Sequence, residues 1–359
     1  METIFKDLLV VELANVLAGP STGMFFAELG ARVIKVENKG TGGDLTRNWK
    51  LPQEDASATV SAYYASVNWG KESHLLDLKN DKDRAQVYEW IKKADIVISN
   101  FRPKEAERMG MTYEELYKYN EKIIFGHLSG YGEKDERAAF DLVLQAETGY
   151  MAMNGTGGSG PIKMPVAFID LLAGHQLKEA LLVALIRRLQ TGKGSAVSIS
   201  LYDAAVSSLA NQATNYLQCG MIPGLKGSLH PNIAPYGETL LCSDNKWLVL
   251  AVGNDKQFIA LCKVLTIPEL AKDRRFDSNP NRVRTRIDLL KDLQNAAGKW
   301  VSEDLKTALD IAGVPCGLIK NLEEVFADSK AKALIMNEFR EGASLRCVKS
   351  VVFRLKSPQ

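Results

Sequence analysis

Residues 164–210 read MPVAFIDLLAGHQLKEALLVALIRRLQTGKGSAVSISLYDAAVSSLA, and this stretch decides the fold. Its first residues predict a short apolar strand that ends at Ile169. An apolar helix of about five turns should follow Asp170 and end at Gly192, because glycine commonly terminates helices. A second strand over 196–201 and a second helix complete the stretch. This alternation of strands and helices is typical of a parallel α/β sheet.

Asp170 is the one ionisable residue between Pro165 and His175, so a charge lies where the predicted buried strand meets the buried helix. An aspartate at this place can cap the helix, because its carboxylate accepts hydrogen bonds from free backbone N–H groups. The same carboxylate, with N–H donors beside it, could instead take part in chemistry that stabilises an oxyanion. This stretch alone leaves both interpretations open.

The first part of the chain predicts the same kind of sheet. Residues 8–37 have the pattern of a strand, a turn, a helix with Pro20 in its first position, and a second strand. A dinucleotide-binding fold is the natural first hypothesis, with Glu37 on a ribose hydroxyl, but the G-x-G-x-x-G fingerprint is missing from the turn. A formal G-x-G-x-x-G occurs at 155–160, where Pro161 and a strand follow it, so it predicts a mobile loop and not a nucleotide site.

Three further strands are predicted at 74–78, 96–100 and 123–128, with helices between them. The carboxyl ends of parallel strands line the ligand crevice. Basic and polar residues follow each of these strands, and converging cations there could bind phosphate groups. Taken one at a time, each such residue is better explained as a solvated surface charge, because charged side chains are mostly exposed.

The fold class predicted is therefore α/β, with a doubly wound parallel-sheet domain at residues 1–205. A stretch rich in glycine and proline then predicts a linker at 206–232. A smaller α+β domain is predicted at 233–320, and residues 321–359 should return to the large domain.

Composition narrows the classes of function. The chain is 46% hydrophobic and 25% charged with a net charge of +2, which is ordinary for a globular protein and provides no basic field for nucleic acid. Apolar runs near the main helix are far shorter than the ~20 residues of a membrane span. Glu2 and Glu12 argue against a signal peptide. Five scattered cysteines fit a reducing compartment, so we expect a cytoplasmic protein with no membrane partner.

Several familiar chemistries have no motif here. The sequence contains no G-x-S-x-G nucleophile elbow and no Walker motif. The four histidines have no metal-binding spacing, so no metal is expected.

Six blocks nevertheless carry a resemblance, and they occur in order over roughly residues 7–355. They are LANVLAGPSTGMFFAELGARVIKVEN (13–38), NWGKESHLLDL (68–78), NFRPKEAERMG (100–110), FDLVLQAETGYMAMNG (140–155), FIDLLAGHQLKEALLVALIRRLQTGKGSAVSISLYDA (168–204) and HPNIAPYGE (230–238). Together they resemble the class III CoA-transferase family, which includes formyl-CoA and carnitine CoA-transferases and is related to 2-methylacyl-CoA racemases.

The resemblance implies a large doubly wound domain, a small domain on two linkers, and a homodimer of interlocked protomers. It also implies that Asp170 is a covalent nucleophile and that coenzyme A enters as the acyl-CoA co-substrate, with no other nucleotide cofactor. The coenzyme contacts it implies are Val16, Leu17, Ala18, Lys71, Leu76, Lys79, Asn100, Phe101, Arg102, Arg108, Arg137 and Asp141.

The activity implied is transfer of CoA from an acyl-CoA donor to a carboxylic acid acceptor without ATP. Asp170, ionised at pH 7, would form a mixed anhydride and then an aspartyl-CoA thioester. The related racemases place a histidine before the aspartate where this chain has Phe140 and Asp141, which favours the transferase. A 2-methylacyl-CoA racemase and a non-catalytic CoA-binding homologue remain the alternatives.

Overall fold

The structure, a computed structural model, describes residues 3–355. In chain order its strands are β1 Leu9–Leu13, β2 Arg32–Asn38, β3 Lys71–Leu76, β4 Ile96–Ser99, β5 Ile124–Ser129, β6 Gly155–Thr156, β7 Gly160–Pro161, β8 Ser195–Ser200, β9 Tyr236–Leu241, β10 Trp247–Ala251, β11 Cys316–Leu318, β12 Ile335–Arg340 and β13 Ala343–Val348. Its helices are α1 Ala18–Glu28, α2 Ala62–Asn68, α3 Asp81–Ile91, α4 Pro103–Met109, α5 Tyr113–Tyr117, α6 Asp141–Glu147, α7 Tyr150–Met153, α8 Phe168–Thr191, α9 Leu201–Ser207, α10 Ala210–Cys219, α11 Asp255–Val264, α12 Asn279–Arg284, α13 Arg286–Ala297, α14 Ser302–Ile311, α15 Leu322–Ala327 and α16 Ser329–Lys332. Short 3₁₀ segments lie at Lys39–Thr41, Leu45–Asn48 and Pro268–Lys272.

A six-stranded sheet in the order β3-β2-β1-β4-β5-β8 forms the centre of the fold, and every pairing in it is parallel. This confirms the predicted α/β class with its large parallel sheet. The strand order reverses between β1 and β4. In open α/β sheets, ligands bind beyond the carboxyl ends of the strands at such a point. The residues that follow β1 and β4 are therefore placed to meet a ligand.

The apolar core lies on both faces of this sheet. Successive side chains of a strand point to opposite faces. Val10 accordingly packs in one cluster with residues of α1 and α8, whereas Val11 packs in another with residues of α3. Helices on both faces explain why the inner strands are almost continuously apolar.

The prediction of a strand that ends at Ile169 is wrong. The chain is irregular before Ala167, and α8 begins at Phe168, so Asp170 lies inside the helix. Apolar residues suit a buried helix start as well as a buried strand, and periodicity cannot separate the two over so few residues. The main-chain N–H groups of Met164 and Ile169 bond to side chains of α6 instead of to a neighbouring strand.

Helices α1 and α8 pack closely and run in the same direction. Gly174 of α8 lies against Ser21 and Ala18 of α1, where a side chain would collide with the Ser21 hydroxyl. One turn further along α8, the Lys178 ammonium lies 5.6 Å from the Phe25 ring centre, one turn further along α1. Contacts that advance together along both helices mean that the two N-termini lie at the same end.

The chain divides into two compact units. The first holds the six-stranded sheet and the β12–β13 hairpin; it comprises residues up to 151, 163–221 and from 332 onward. The second comprises 152–162 and 222–331 and contains the antiparallel sheet β11-β10-β9, with α11, α13 and α14 around its own apolar core. Between residues 3 and 355, the structure has no helix with the length and apolar character needed to cross a membrane.

Candidate active site

Asp170 is a buried carboxyl group near the start of α8. It is the third residue of the helix, it is 8% exposed, and its side chain accepts no hydrogen bond from the described residues 3–355. The residue that precedes the helix is Ala167, and its side chain supplies no cap. The capping interpretation of Asp170 is therefore wrong.

Asp141 caps α8 from outside. One of its carboxylate oxygens accepts the Ile169 N–H at 2.8 Å, and the other accepts the Gln145 amide at 2.5 Å. The Gln145 carbonyl oxygen in turn accepts the Met164 N–H at 2.8 Å. Asp141 is 6% exposed with both oxygens bonded, so it holds the start of α8, and its contact with coenzyme A stays a prediction. Sequence analysis missed Gln145, although its spacing of four from Asp141 was a usable helical signal.

Burial raises the pKa of the Asp170 carboxyl to about 7, and the adjacent Asp141 carboxylate adds to the rise. Burial has this effect because a low-dielectric site disfavours the charged form. A carboxyl with this pKa is about half protonated at pH 7, unlike the fully ionised group that its ordinary pKa predicts. Asp170 can therefore change its charge near neutral pH.

Two helix N-termini meet at Asp170. Gly174 lies one turn later on the same face of α8 and contacts Ala18, so Asp170 faces the beginning of α1. Helix α1 has no side-chain cap and no acidic residue in its first turn. Its first N–H groups lack intrahelical acceptors and carry the positive end of the helix dipole. These N–H groups can donate hydrogen bonds to a substrate oxygen that becomes negatively charged beside Asp170.

The predicted contacts Val16, Leu17 and Ala18 form the turn that begins α1, and Asn100 holds this turn from the end of β4. The Asn15 N–H donates to the Asn100 side-chain oxygen at 3.1 Å, and the Asn100 amide donates to the Asn15 carbonyl at 3.0 Å. The structure thus brings two of the predicted segments together at the switch point of the sheet.

Tyr63 of α2 also faces the site, and sequence analysis missed it. Burial, with the nearby carboxylates of Asp170 and then Asp141, raises the pKa of the Tyr63 hydroxyl to about 12. A phenol with this pKa stays protonated and can donate a hydrogen bond. Its ring lies edge-on to Trp49, with the ring centres 5.1 Å apart. No motif singles out Tyr63, because only the fold brings α2 to the start of α8.

Arg102 and Arg108 line one cleft of about 510 Å³ beside α4, with Lys104 and three glutamates. Both arginines are exposed, and the neighbouring Phe101 is half-buried. Among the other predicted contacts, Leu76 ends β3 and is buried, whereas Lys79 is exposed three residues later. Guanidinium groups in a cleft can bind phosphate oxygens in pairs.

Two predicted cationic contacts have their charges paired within the protein. Lys71 begins β3, at the opposite end from the crevice, and its buried ammonium bonds to Glu12 at 2.8 Å and to the Pro20 carbonyl at 2.8 Å. Lys71 is therefore part of the core. Arg137 forms an ion pair with Asp135 at 2.7 Å and lies over the Tyr131 ring.

Comparisons with known proteins show the family of this chain. An Agrobacterium fabrum protein named succinate–glutarate CoA-transferase is 37% identical over 358 residues, which cover 97% of this chain and 89% of that protein. A human protein named succinyl-CoA:glutarate CoA-transferase is 33% identical, over 89% of this chain and 72% of its own length. A crystal structure of a CaiB/BaiF family protein from Brucella suis superposes with a TM-score of 0.85 at 38% identity, covering 98% of this chain and 93% of that one. The family model for "CoA-transferase family III" matches residues 5–355. The chain therefore belongs to CoA-transferase family III.

Proposed function

We propose that this protein transfers CoA from an acyl-CoA to a carboxylic acid through covalent intermediates on Asp170. The observation that carries the proposal is a buried carboxyl group without a hydrogen-bond partner among residues 3–355, placed where two helices begin. A carboxylate whose lone pairs are free is better able to attack a carbonyl carbon than one already bonded to N–H groups.

In the first step an Asp170 oxygen bonds to the thioester carbonyl carbon. The carbon–sulfur bond breaks, and the electron pair leaves with sulfur as the CoA thiolate, which leaves a mixed anhydride. The thiolate then bonds to the aspartyl carbonyl carbon, and the donor acid departs as a carboxylate with the bridging oxygen. The acceptor carboxylate reverses both steps, so the thioester energy is retained and no ATP is consumed.

The residues around Asp170 have separate tasks in this scheme. The first N–H groups of α1 stabilise the oxyanion of each tetrahedral intermediate; removing one such donor typically costs about 10²- to 10³-fold in rate. Tyr63 donates a hydrogen bond to the same region. Asp141 and Gln145 keep the start of α8 in place, and Arg102 and Arg108 bind phosphate groups of the coenzyme.

The names of the relatives suggest the substrate class. Proteins 31–37% identical to this chain are named for succinate or succinyl-CoA with glutarate or mesaconate. We therefore propose succinyl-CoA as donor and a dicarboxylic acid of similar length, such as glutarate, as acceptor.

The test is label exchange. The wild-type protein, incubated with succinyl-CoA and radiolabelled glutarate without ATP, should form labelled glutaryl-CoA, and hydroxylamine or borohydride should trap an adduct at Asp170 that mass spectrometry locates. Asp170→Asn should form neither product. Asp288→Asn is the matched control, because Asp288 is also the third residue of a helix, α13, but is exposed; it should match the wild type.

Two outcomes would contradict the proposal. Full turnover by Asp170→Asn would exclude a covalent role for that residue. Exchange of the α-proton of a 2-methylacyl-CoA in deuterium oxide, with no acyl transfer, would identify a racemase; binding of CoA with neither reaction would identify a non-catalytic homologue.

We also propose a homodimer in the cytoplasm. Val183, Ile186 and Leu189 recur along one face of α8 and are 65%, 57% and 85% exposed, which is a large apolar face for a lone protomer. The described cysteines are free thiols, as in a reducing compartment. Light scattering of the purified protein tests the dimer.

A further inference from the structure

The turn between β1 and α1 is held by side chains from other parts of the chain. Ala14 O accepts the Lys35 ammonium at 2.8 Å, and Asn15 exchanges two hydrogen bonds with Asn100. The Val16 N–H then donates to the two Asp44 carboxylate oxygens at 3.1 and 3.3 Å. Four consecutive main-chain polar groups are thus bound by side chains, where a free turn would leave them to water.

Val16 itself has an unfavourable backbone. Its φ is 73°, in the left-handed region. A branched Cβ makes this conformation a genuine outlier for valine, and such strain persists only where the surroundings impose it. The Asp44 carboxylate is the side chain that binds the N–H of this strained residue.

Asp44 is itself held in place. It is 1% exposed, it forms an ion pair with Lys35 at 3.1 Å, and it accepts the Thr46 N–H at 3.0 Å and hydroxyl at 2.8 Å. Its own N–H donates to Glu37 at 2.7 Å. An amide in its place has only one oxygen, so its NH₂ group replaces either the Oδ1 that accepts from Thr46 or the Oδ2 that pairs with Lys35. In both cases Asp44→Asn loses one of the two oxygens that accept the Val16 N–H.

The turn leads directly into the first residues of α1, which face Asp170. A small rotation at Val16 therefore changes where the N–H groups of Leu17 and Ala18 point. We propose that Asp44 is a positioning residue: by holding Val16 in its left-handed conformation, it aims the first N–H groups of α1 at the carbonyl group that reacts on Asp170. This inference rests on the proposed function.

The test uses glycine to remove the strain. Glycine adopts positive φ as readily as negative φ, so the hold of Asp44 on the turn should matter less in the Val16→Gly background. With succinyl-CoA and glutarate, Asp44→Asn should lower kcat about 100-fold in the wild-type chain, the usual cost of a small misplacement. In the Val16→Gly background the same change should lower kcat by no more than about tenfold, so the two sites are coupled.

Asp95→Asn is the matched control. Asp95 also binds a main-chain N–H of β1, that of Leu9 at 2.9 Å, and also pairs with a cation, Arg188 at 2.9 Å, but it lies at the other end of the strand. Its effect on kcat should be the same in both backgrounds. Hydrogen exchange read by mass spectrometry gives a measure without substrate: Asp44→Asn should speed exchange in the peptide spanning 14–24, and Asp95→Asn should not.

The results separate the two proposals. Equal losses from Asp44→Asn in both backgrounds, or unchanged exchange in the 14–24 peptide, would overturn the positioning role while the transferase stands. A wild-type protein that forms neither labelled glutaryl-CoA nor an Asp170 adduct would overturn the proposed function, and with it the task assigned to Asp44.

Discussion

Replacing Asp170 with asparagine should stabilise the protein at alkaline pH while it abolishes transfer. The folded state holds the Asp170 proton up to a pKa of about 7, whereas the unfolded chain releases it near pH 4. Between these values the folded state binds more protons, so the free energy of unfolding falls as pH rises through this window and levels off above it. Asparagine has nearly the same shape as aspartate and carries no charge, so the free energy of unfolding of Asp170→Asn does not fall with pH in this way.

The size of the effect follows from the two pKa values. A shift of about three units corresponds to about 4 kcal/mol at pH 8, at 1.36 kcal/mol per unit. At pH 5 only about 1.5 kcal/mol of that cost has developed. The advantage of Asp170→Asn over the wild type should therefore grow by about 2.5 kcal/mol between pH 5 and pH 8.

Urea unfolding at both pH values, at matched protein concentration, measures this difference. Asp288→Asn is again the control, because its exposed side chain should give the same small change at both pH values. Parallel stability curves for the wild type and Asp170→Asn would refute the reasoning, since they would mean that Asp170 ionises in the folded state as it does in the unfolded chain.

Three further predictions concern the reaction. The kcat/KM of transfer should rise from pH 5 to pH 8 with a midpoint near 7, because the carboxylate form attacks and burial raises the pKa of Asp170 to about 7; a flat pH profile would contradict this. Arg108→Gln should raise KM for succinyl-CoA about tenfold with a smaller effect on kcat, whereas Arg137→Gln should change KM less because that guanidinium is ion-paired with Asp135; equal effects would argue against the cleft beside α4. Gln145→Leu should lower the free energy of unfolding by about 1–3 kcal/mol and also lower kcat, because it leaves the Met164 N–H and one oxygen of Asp141 without their hydrogen bonds. A loss of stability with unchanged kcat would limit Gln145 to a structural role.

The large sheet was predictable because its strands are buried on both faces and alternate with helices. The observed ends of its strands differ from the predicted ones by only a few residues; the strand predicted at 123–128, for example, is observed as β5, Ile124–Ser129. The prediction of a strand before Asp170 was wrong because a short apolar run beside a helix has no periodicity that distinguishes a strand from a helix. The N–H groups of Met164 and Ile169 donate to two side chains of α6, and contacts between distant segments leave no local pattern.

The site was only partly predictable for a related reason. The resemblance implies Lys71 as a coenzyme contact, whereas the structure shows its ammonium bonded to Glu12 in the core. A usable signal was present: Glu12 and Lys35 are charged residues inside otherwise apolar strands, which pair side by side in the sheet. A charge that interrupts a buried strand must find a partner, so such residues predict an internal ion-pair network before they predict a ligand contact.

Asp141 and Asp170 have separate roles, which explains how a nucleophile can lie at the start of a helix. A capping carboxylate has its oxygens bonded to N–H groups, which lowers its pKa and occupies the lone pairs that attack requires. Asp141 takes that task from a different helix, so the oxygens of Asp170, beside the N-terminal ends of α8 and α1, have no hydrogen-bond donor within residues 3–355. Capping and nucleophilic attack would compete for the same oxygens if one residue had to do both. The buried, unbonded state of Asp170 costs stability, and the proposed covalent role is the reason we offer for a protein to keep it.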